Sequence, residues 1–155
     1  MISIVFVCLG NICRSPLAEG IFKKMLHDEG LTTKFYVDSA GTSAYHLGDQ
    51  PDYRSCQVAE KHGITLSHEA KQLSFSDLHT FHYIIAMDNN NYRGIKALGE
   101  AKGQVILMRD FDTQEQGKDV PDPYYGGIEG FEDVYQICYR SCKNLLEYIK
   151  KEQEL

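Results

Sequence analysis

Short apolar runs alternate along the chain with stretches that read as helices. The apolar runs predict strands at Ile2–Val7, Phe35–Ser39, Tyr83–Met87 and Val105–Met108. The intervening patterns predict helices that begin near Pro16 and that cover Tyr53–His62, Tyr92–Leu98 and Phe131–Lys151. Short apolar strands separated by helices indicate an α/β fold, in which a four-stranded parallel sheet carries helices on both faces. We therefore expect one three-layer domain over residues 1–155.

Composition and charge exclude several other classes of protein. A chain of 155 residues with 43% hydrophobic and 25% charged positions is ordinary for one globular domain. The net charge of -6 argues against nucleic acid and acidic membrane surfaces as partners. No apolar stretch approaches a membrane span, and the first residues lack the basic start of a signal peptide. Five cysteines, an odd number, favour reduced thiols in a cytoplasmic protein over a disulfide framework.

A thiol and an arginine flank the first predicted turn between strand and helix. Cys8 follows the first strand, and Arg14 stands at the start of the next helix, in the sequence CLGNICRS. A loop wrapped between them would direct backbone N–H groups at one point, which suits an anion. Gly10 permits a close backbone approach, and Asn11 tolerates left-handed geometry. Ser15 is expected to cap the helix, with Pro16 at its first position.

Cys8 and Arg14 could also be a buried cysteine and an unrelated surface arginine without a catalytic role, but the surrounding residues favour a reactive thiol. Holding a cysteine ionised about three pH units below its usual range takes roughly 4 kcal/mol. A helix terminus contributes about 0.3–1 kcal/mol, and about 2 kcal/mol when partly buried. The loop N–H groups, the Ser15 hydroxyl and the Arg14 charge must therefore supply the rest. Arg14 suits phosphate because its planar fork matches two phosphate oxygens.

A proton donor for a leaving group is the other requirement of phosphoryl transfer, and Asp122 is the best candidate. It stands between two prolines in the sequence VPDPYYGG, which restricts the backbone around its carboxyl group. A turn aspartate with no catalytic role fits this spacing equally well, since Asp-Pro is a frequent turn dipeptide. The adjacent Tyr124 could stack on an aromatic substrate.

The loop from Cys8 to Ser15, together with the distant Asp-Pro-Tyr-Tyr-Gly sequence at 122–126, resembles the low-molecular-weight protein tyrosine phosphatases. The resemblance extends over essentially the whole chain and implies a flavodoxin-like fold and no cofactor or metal. It assigns Cys8 as the nucleophile, Arg14 as the phosphate clamp and Asp122 as the general acid and base. It implies phosphotyrosine-containing proteins as substrates, with inorganic phosphate as product and competing ligand.

The same resemblance implies the residues that bind the substrate and support the loop. Those around the phosphate and the phenyl ring would be Leu9, Gly10, Asn11, Ile12, Cys13, Ser15, Tyr45 and Tyr124. Ser39 and His68 would join Asn11 and Ser15 in a hydrogen-bond network beneath the loop, although the sequence alone predicts a surface histidine at position 68. It also raises Tyr124 and Tyr125 as phosphorylation sites.

Position 12 bears on the choice of substrate, and position 13 on redox behaviour. Phosphoarginine phosphatases of similar sequence carry threonine where this chain has Ile12, so Ile12 favours phosphotyrosine. Cys13 fits a small apolar filler, and it also fits a resolving thiol that captures an oxidised Cys8 as a disulfide. His79 and His82 lack the further ligands that a metal site needs.

Alternative functions remain for comparison. An arsenate reductase would need a relay cysteine pair near the third strand, and residues 75–95 contain no cysteine. A silent phosphotyrosine-binding module would not need Cys8, Arg14 and Asp122 together. A purely structural interaction protein would expose an apolar face or a repeat, and neither stands out.

Overall fold

In a computed structural model of residues 1–155, the chain folds around a parallel sheet. The strands are β1 (Ile2–Cys8), β2 (Phe35–Gly41), β3 (Tyr83–Ala86) and β4 (Gln104–Leu107), in the order β2-β1-β3-β4. All neighbouring strands pair in parallel. This confirms the predicted four-stranded sheet. β2 extends beyond its predicted end because its register continues until Gly41 pairs with Cys8.

Five α-helices and two short 3-10 turns connect and cover the strands. The helices are α1 (Arg14–Asp28), α2 (Tyr53–Lys61), α3 (Asp77–Thr80), α4 (Asn89–Leu98) and α5 (Ile128–Glu152). The 3-10 turns cover Thr32–Lys34 and Met108–Phe111. The sequence predicted neither these turns nor α3, because segments of three or four residues are too short to show a periodicity.

Alternate side chains of the central strands enter two separate cores. Ile4 and Phe6 of β1 belong to the larger core, which includes residues of α1, α2 and α5. Val5 and Val7 point to the opposite face and join the smaller core with Leu78 of α3 and residues of α4. The predicted three-layer architecture is therefore confirmed, and β1 is buried on both sides, as a central parallel strand should be.

The start of α1 differs from its prediction. The helix begins at Arg14 with Cys13 as the capping residue, and no side chain caps it. Ser15 therefore lies inside the first turn, and its hydroxyl faces the Cys8 sulfur instead of the helix N–H groups. Pro16 is the third residue of the helix, not the first. It is tolerated there because the N–H groups of the first turn have no partner within the helix. The expected serine cap is wrong, and the displacement brings Ser15 into the site.

No helix combines the length and the apolar character that a membrane crossing requires.

Candidate active site

The site is built on the loop that joins β1 to α1, at the carboxyl edge of the sheet. Two backbone hydrogen bonds hold the start of this loop. Thr42 N–H donates to the Cys8 carbonyl oxygen at 2.9 Å, and Ser43 N–H donates to the Leu9 carbonyl oxygen at 3.0 Å. None of the N–H groups of residues 9–13 donates to another backbone group. A row of unpaired N–H groups beside a helix start is an anion-binding arrangement.

Two positions show why the loop requires its particular residue types. Asn11 has φ 58° and is buried, so the loop passes through left-handed geometry that few residues other than glycine accept. Gly41, at the end of β2, lies directly under the loop. A Cβ atom there would stand 2.7 Å from the Leu9 carbonyl oxygen, so a side chain at 41 would displace the loop. The sequence analysis identified Asn11 but missed Gly41.

The Arg14 side chain is buried and fixed by the protein itself. Its Nη1 atom donates to Asp88 Oδ2 at 2.6 Å and to the carbonyl oxygen of Val120 at 3.0 Å. Burial alone would lower the pKa of Arg14, but the charges of Cys8 and Asp88 raise it above its usual value. Asp88 was missed, although a carboxylate shortly after β3 lies at the carboxyl edge of the sheet where such sites form.

A buried hydrogen-bond network supports the loop from below. Asn11 Nδ2 donates to the hydroxyl groups of Ser15 and Ser39, at 2.8 and 3.0 Å. Asn11 Oδ1 lies 2.7 Å from His68 Nε2 and accepts from the Lys71 N–H at 2.9 Å. Hydrogen bonds at both the nitrogen and the oxygen of the Asn11 side-chain amide thus stabilise the left-handed backbone conformation at this residue. His68 is almost fully buried, so the surface position that the sequence alone predicted is wrong.

Two carboxylates complete the ionic surroundings of this network. Glu19 accepts from the Ser39 hydroxyl at 2.6 Å, and Asp38 lies 3.8 Å from His68. Glu19, Asp38 and His68 are close enough together to suggest a metal ligand set. However, Lys23 already pairs with Glu19, and Lys71 pairs with Asp38. These lysines balance the carboxylates, so the charges here need no metal ion.

Asp122 lines the same cavity as the loop and lies near Arg14. Its Oδ2 atom is 3.7 Å from Arg14 Nη2, and its Oδ1 atom accepts from the Tyr124 N–H at 3.1 Å. The carboxyl group is about half exposed, which leaves it free to meet a ligand. The structure thus brings the three predicted catalytic residues to one cavity.

This cavity has a volume of about 420 Å³ and a mostly apolar lining. Of the predicted site residues, Asn11, Ser15, Ser39 and His68 do not line it, because their side chains form the network beneath the loop. Tyr45 stands at the rim, largely exposed. The lining also includes Ser43, His46 and Tyr125, none of which the sequence predicted to line the substrate site. His46 directly follows the predicted Tyr45, and its Nδ1 lies 3.1 Å from Asp49.

Comparisons with known proteins agree with this geometry. Residues 3–155 match the family model described as low molecular weight phosphotyrosine protein phosphatase. The chain is 46% identical over 149 residues to the enzyme of that name from Gallus gallus, with 94% of each chain covered. A protein tyrosine phosphatase from Entamoeba histolytica superimposes with a TM-score of 0.92, at 42% identity and 99% coverage of both chains.

A Drosophila arginine phosphatase is also similar in structure, with a TM-score of 0.89 and 31% identity. It covers 95% of this chain, and this chain covers 97% of it. The fold alone therefore does not separate the two substrate classes. The family model and the relatives at higher identity show the family: the chain belongs to the low molecular weight phosphotyrosine protein phosphatases, which are hydrolases that act on phosphotyrosine.

Proposed function

We propose that this enzyme hydrolyses phosphotyrosine in proteins through a phosphocysteine intermediate. In the first step the Cys8 thiolate attacks phosphorus, and Asp122 gives its proton to the departing phenolate oxygen. In the second step the Asp122 carboxylate takes a proton from water, which attacks phosphorus and releases phosphate and the Cys8 thiolate. One P–O bond and one P–S bond are broken over the cycle, and the enzyme is regenerated.

The observation that carries this proposal is the meeting of three groups around one cavity. Cys8 lies at the base beside a row of unpaired N–H groups, Arg14 is held charged at one side, and Asp122 is 3.7 Å from that guanidinium. The N–H groups and the planar fork suit the equatorial oxygens of a phosphoryl group in flight. An acid that lines the same cavity and is about half exposed suits the leaving oxygen.

The lining of the cavity supports an aromatic substrate. Leu9 and Ile12 supply apolar surface near the loop, and Tyr45 and Tyr124 supply aromatic surface at the mouth. Such walls suit the faces and edges of a phenyl ring. Ile12 offers no hydrogen-bonding group to a guanidino nitrogen, so we favour phosphotyrosine over phosphoarginine at this site.

The catalytic assignment is tested by comparing wild type with Cys8→Ser and Asp122→Asn on a phosphotyrosine peptide and on two aryl phosphates. Cys8→Ser should abolish turnover and still bind phosphate. Asp122→Asn should reduce kcat/KM roughly 10²–10⁴-fold for phenyl phosphate, as expected for a lost general acid. It should reduce it much less for p-nitrophenyl phosphate, whose phenolate leaves without help. Equal losses on both aryl phosphates would exclude Asp122 as the acid.

We further propose that the enzyme works in the cytoplasm. All five cysteines are free thiols in the fold, and catalysis requires Cys8 to be reduced. Fractionation of the cells that make this protein, with activity assays on each fraction, tests this location.

A further inference from the structure

The segment that carries Asp122 is attached to the rest of the protein in an unusual way. Residues 122–126 make only two hydrogen bonds to residues outside the segment, and Arg54 of α2 donates both. Arg54 Nη1 donates to the Gly126 carbonyl oxygen and Nη2 donates to the Tyr124 carbonyl oxygen, each at 2.9 Å. We propose that Arg54 is a positioning residue that holds Asp122 in place for proton transfer. This rests on the role proposed for Asp122.

The contact reaches Asp122 through a single residue. Tyr124 accepts from Arg54 at its carbonyl group and donates its own N–H to Asp122 Oδ1 at 3.1 Å. The Tyr124 backbone is therefore fixed at both ends. Loss of the guanidinium would remove the hydrogen bond that holds the Tyr124 carbonyl group. The Tyr124 N–H, which orients the Asp122 carboxyl group, would then no longer be held in place.

On its other side, the Arg54 guanidinium is tied to the phosphate-binding loop. Its Nε and Nη2 atoms bind the two carboxylate oxygens of Asp52, each at 3.1 Å. The Asp52 N–H donates to the Ile12 carbonyl oxygen at 2.7 Å. Burial would raise the pKa of Asp52, but hydrogen bonds from Arg54 lower it, so this carboxylate stays charged near neutral pH. A continuous chain of contacts thus joins the loop after Cys8 to the segment of Asp122.

The flat shape of the guanidinium is required as well as its charge. Arg54 Cζ lies 4.4 Å from the centre of the Phe131 ring, and Phe131 is fully buried in the first turns of α5. Stacking on this ring fixes the plane in which the nitrogen atoms donate. A lysine ammonium has no such plane, so it could not serve the Asp52 carboxylate and both carbonyl groups at once.

The dependence of kcat/KM on the leaving group shows whether Arg54 positions the acid or only supports the fold. We compare wild type with Arg54→Gln and Arg54→Lys, using kcat/KM because it reports the steps through formation of phosphocysteine. The matched control is Arg93→Gln, since Arg93 is an exposed arginine of α4 whose side chain donates only to Asn90. Thermal unfolding of each variant is measured in parallel, and Arg54→Lys serves if Arg54→Gln does not fold.

With phenyl phosphate, both Arg54 variants should lose roughly tenfold or more in kcat/KM, part of the full contribution of a general acid. With p-nitrophenyl phosphate they should lose no more than about twofold, as should Arg93→Gln with either substrate. In an Asp122→Asn background, Arg54→Gln should add no further difference between the two substrates, because the acid is already absent.

Equal losses of kcat/KM on both aryl phosphates, or an added leaving-group effect in the Asp122→Asn background, would overturn the positioning role. This failure differs from failure of the proposed function. If Asp122→Asn itself shows no leaving-group dependence, the assignment of Asp122 is wrong. If Asp122→Asn shows it and the Arg54 variants do not, only the role of Arg54 is wrong.

Discussion

The sulfur of Cys8 lies 3.0 Å from the hydroxyl oxygen of Ser15, and both side chains are buried. Ser15 in turn accepts a hydrogen bond from Asn11 at 2.8 Å. Because its oxygen accepts from Asn11, the hydroxyl can donate its proton to sulfur, which lies nearer than its other acceptor, the Ala40 carbonyl oxygen at 3.5 Å. In the proposed mechanism, a Ser15 hydroxyl that donates to the Cys8 sulfur would stabilise the thiolate both before attack and when it leaves phosphorus in the second step.

Replacing Ser15 with alanine should slow catalysis without loosening the fold. A hydrogen bond to a charged group contributes about 1.5–3 kcal/mol, which corresponds to roughly 10–100-fold in rate. Steady-state turnover of p-nitrophenyl phosphate measures this effect. Ser141→Ala is the matched control, because Ser141 is a buried serine whose hydroxyl has no partner. If the two variants behave alike, the Cys8–Ser15 contact has no catalytic role.

Ile12→Thr should shift the substrate preference towards phosphoarginine. Ile12 is buried in the cavity wall, and a threonine hydroxyl would offer a guanidino nitrogen a partner that isoleucine lacks. An unpaired polar group costs about 1–3 kcal/mol, so the ratio of kcat/KM values should change by roughly 5–150-fold. Ile12→Val keeps the wall apolar and should leave the ratio unchanged. Wild-type turnover of phosphoarginine that rivals that of phosphotyrosine would contradict the role of Ile12.

Oxidation by peroxide should link Cys8 to Cys13. Attack of Cys13 sulfur on a Cys8 sulfenic acid would form the S–S bond and release water. Burial, Asp52 and the charge of Cys8 all raise the pKa of Cys13, so its thiol is protonated in the resting enzyme. We therefore expect the linkage to form faster as pH rises, because the thiolate is the attacking species.

Mass spectrometry of peptides after mild peroxide treatment detects this linkage. Cys13→Ser should instead carry Cys8 on to sulfinic acid, whereas Cys56→Ser should still form the disulfide. Sulfinic acid alone in the wild-type enzyme would refute the resolving role of Cys13.

The free energy of unfolding at acidic pH should depend on Asp112. Burial would raise the pKa of this carboxyl group, but hydrogen bonds from Arg140, the Gln114 N–H and Arg109 lower it from 3.8 to about 2. A lowered pKa means that the contribution is complete above the unfolded value and is lost as pH falls towards the folded one. The shift corresponds to about 2 kcal/mol.

Urea unfolding of wild type and Asp112→Asn between about pH 6 and pH 2 tests this contribution. The gap in unfolding free energy should be constant above about pH 4 and should narrow below it. Asp110→Asn, at a neighbouring exposed carboxylate, should give no such trend. A gap that stays constant down to pH 2 would contradict the lowered pKa.

Arg109 also donates to the Asp119 carbonyl oxygen, so this cluster anchors the chain that leads to Asp122.

The sequence predicted the features that are local in the chain. The loop from Cys8 to Arg14 is contiguous, so its chemistry could be recognised before its shape was known. The sheet followed from four apolar runs, and its central strand is buried on both faces as such runs predict.

Contacts between distant segments could not be predicted in the same way. Arg54 lies in an ordinary helix, and only folding brings its guanidinium to carbonyl groups around residue 125. Asp88 follows β3, yet its pairing with Arg14 depends on the strand order. Ser15 was assigned a capping role because the sequence could not fix where α1 begins. A shift of two residues in the start of α1, from Pro16 to Arg14, turned its hydroxyl from the helix end to the sulfur of Cys8.

The central claim is that phosphate passes through the sulfur of Cys8. Its most direct test is a rapid acid quench of the enzyme during turnover of a ³²P-labelled phosphotyrosine peptide, followed by mapping of the labelled fragment. Label should appear on the peptide that contains Cys8 within the first turnover, as a phosphothiol, and should be absent from Cys8→Ser. Continued release of phosphate with no label on Cys8 would contradict the account.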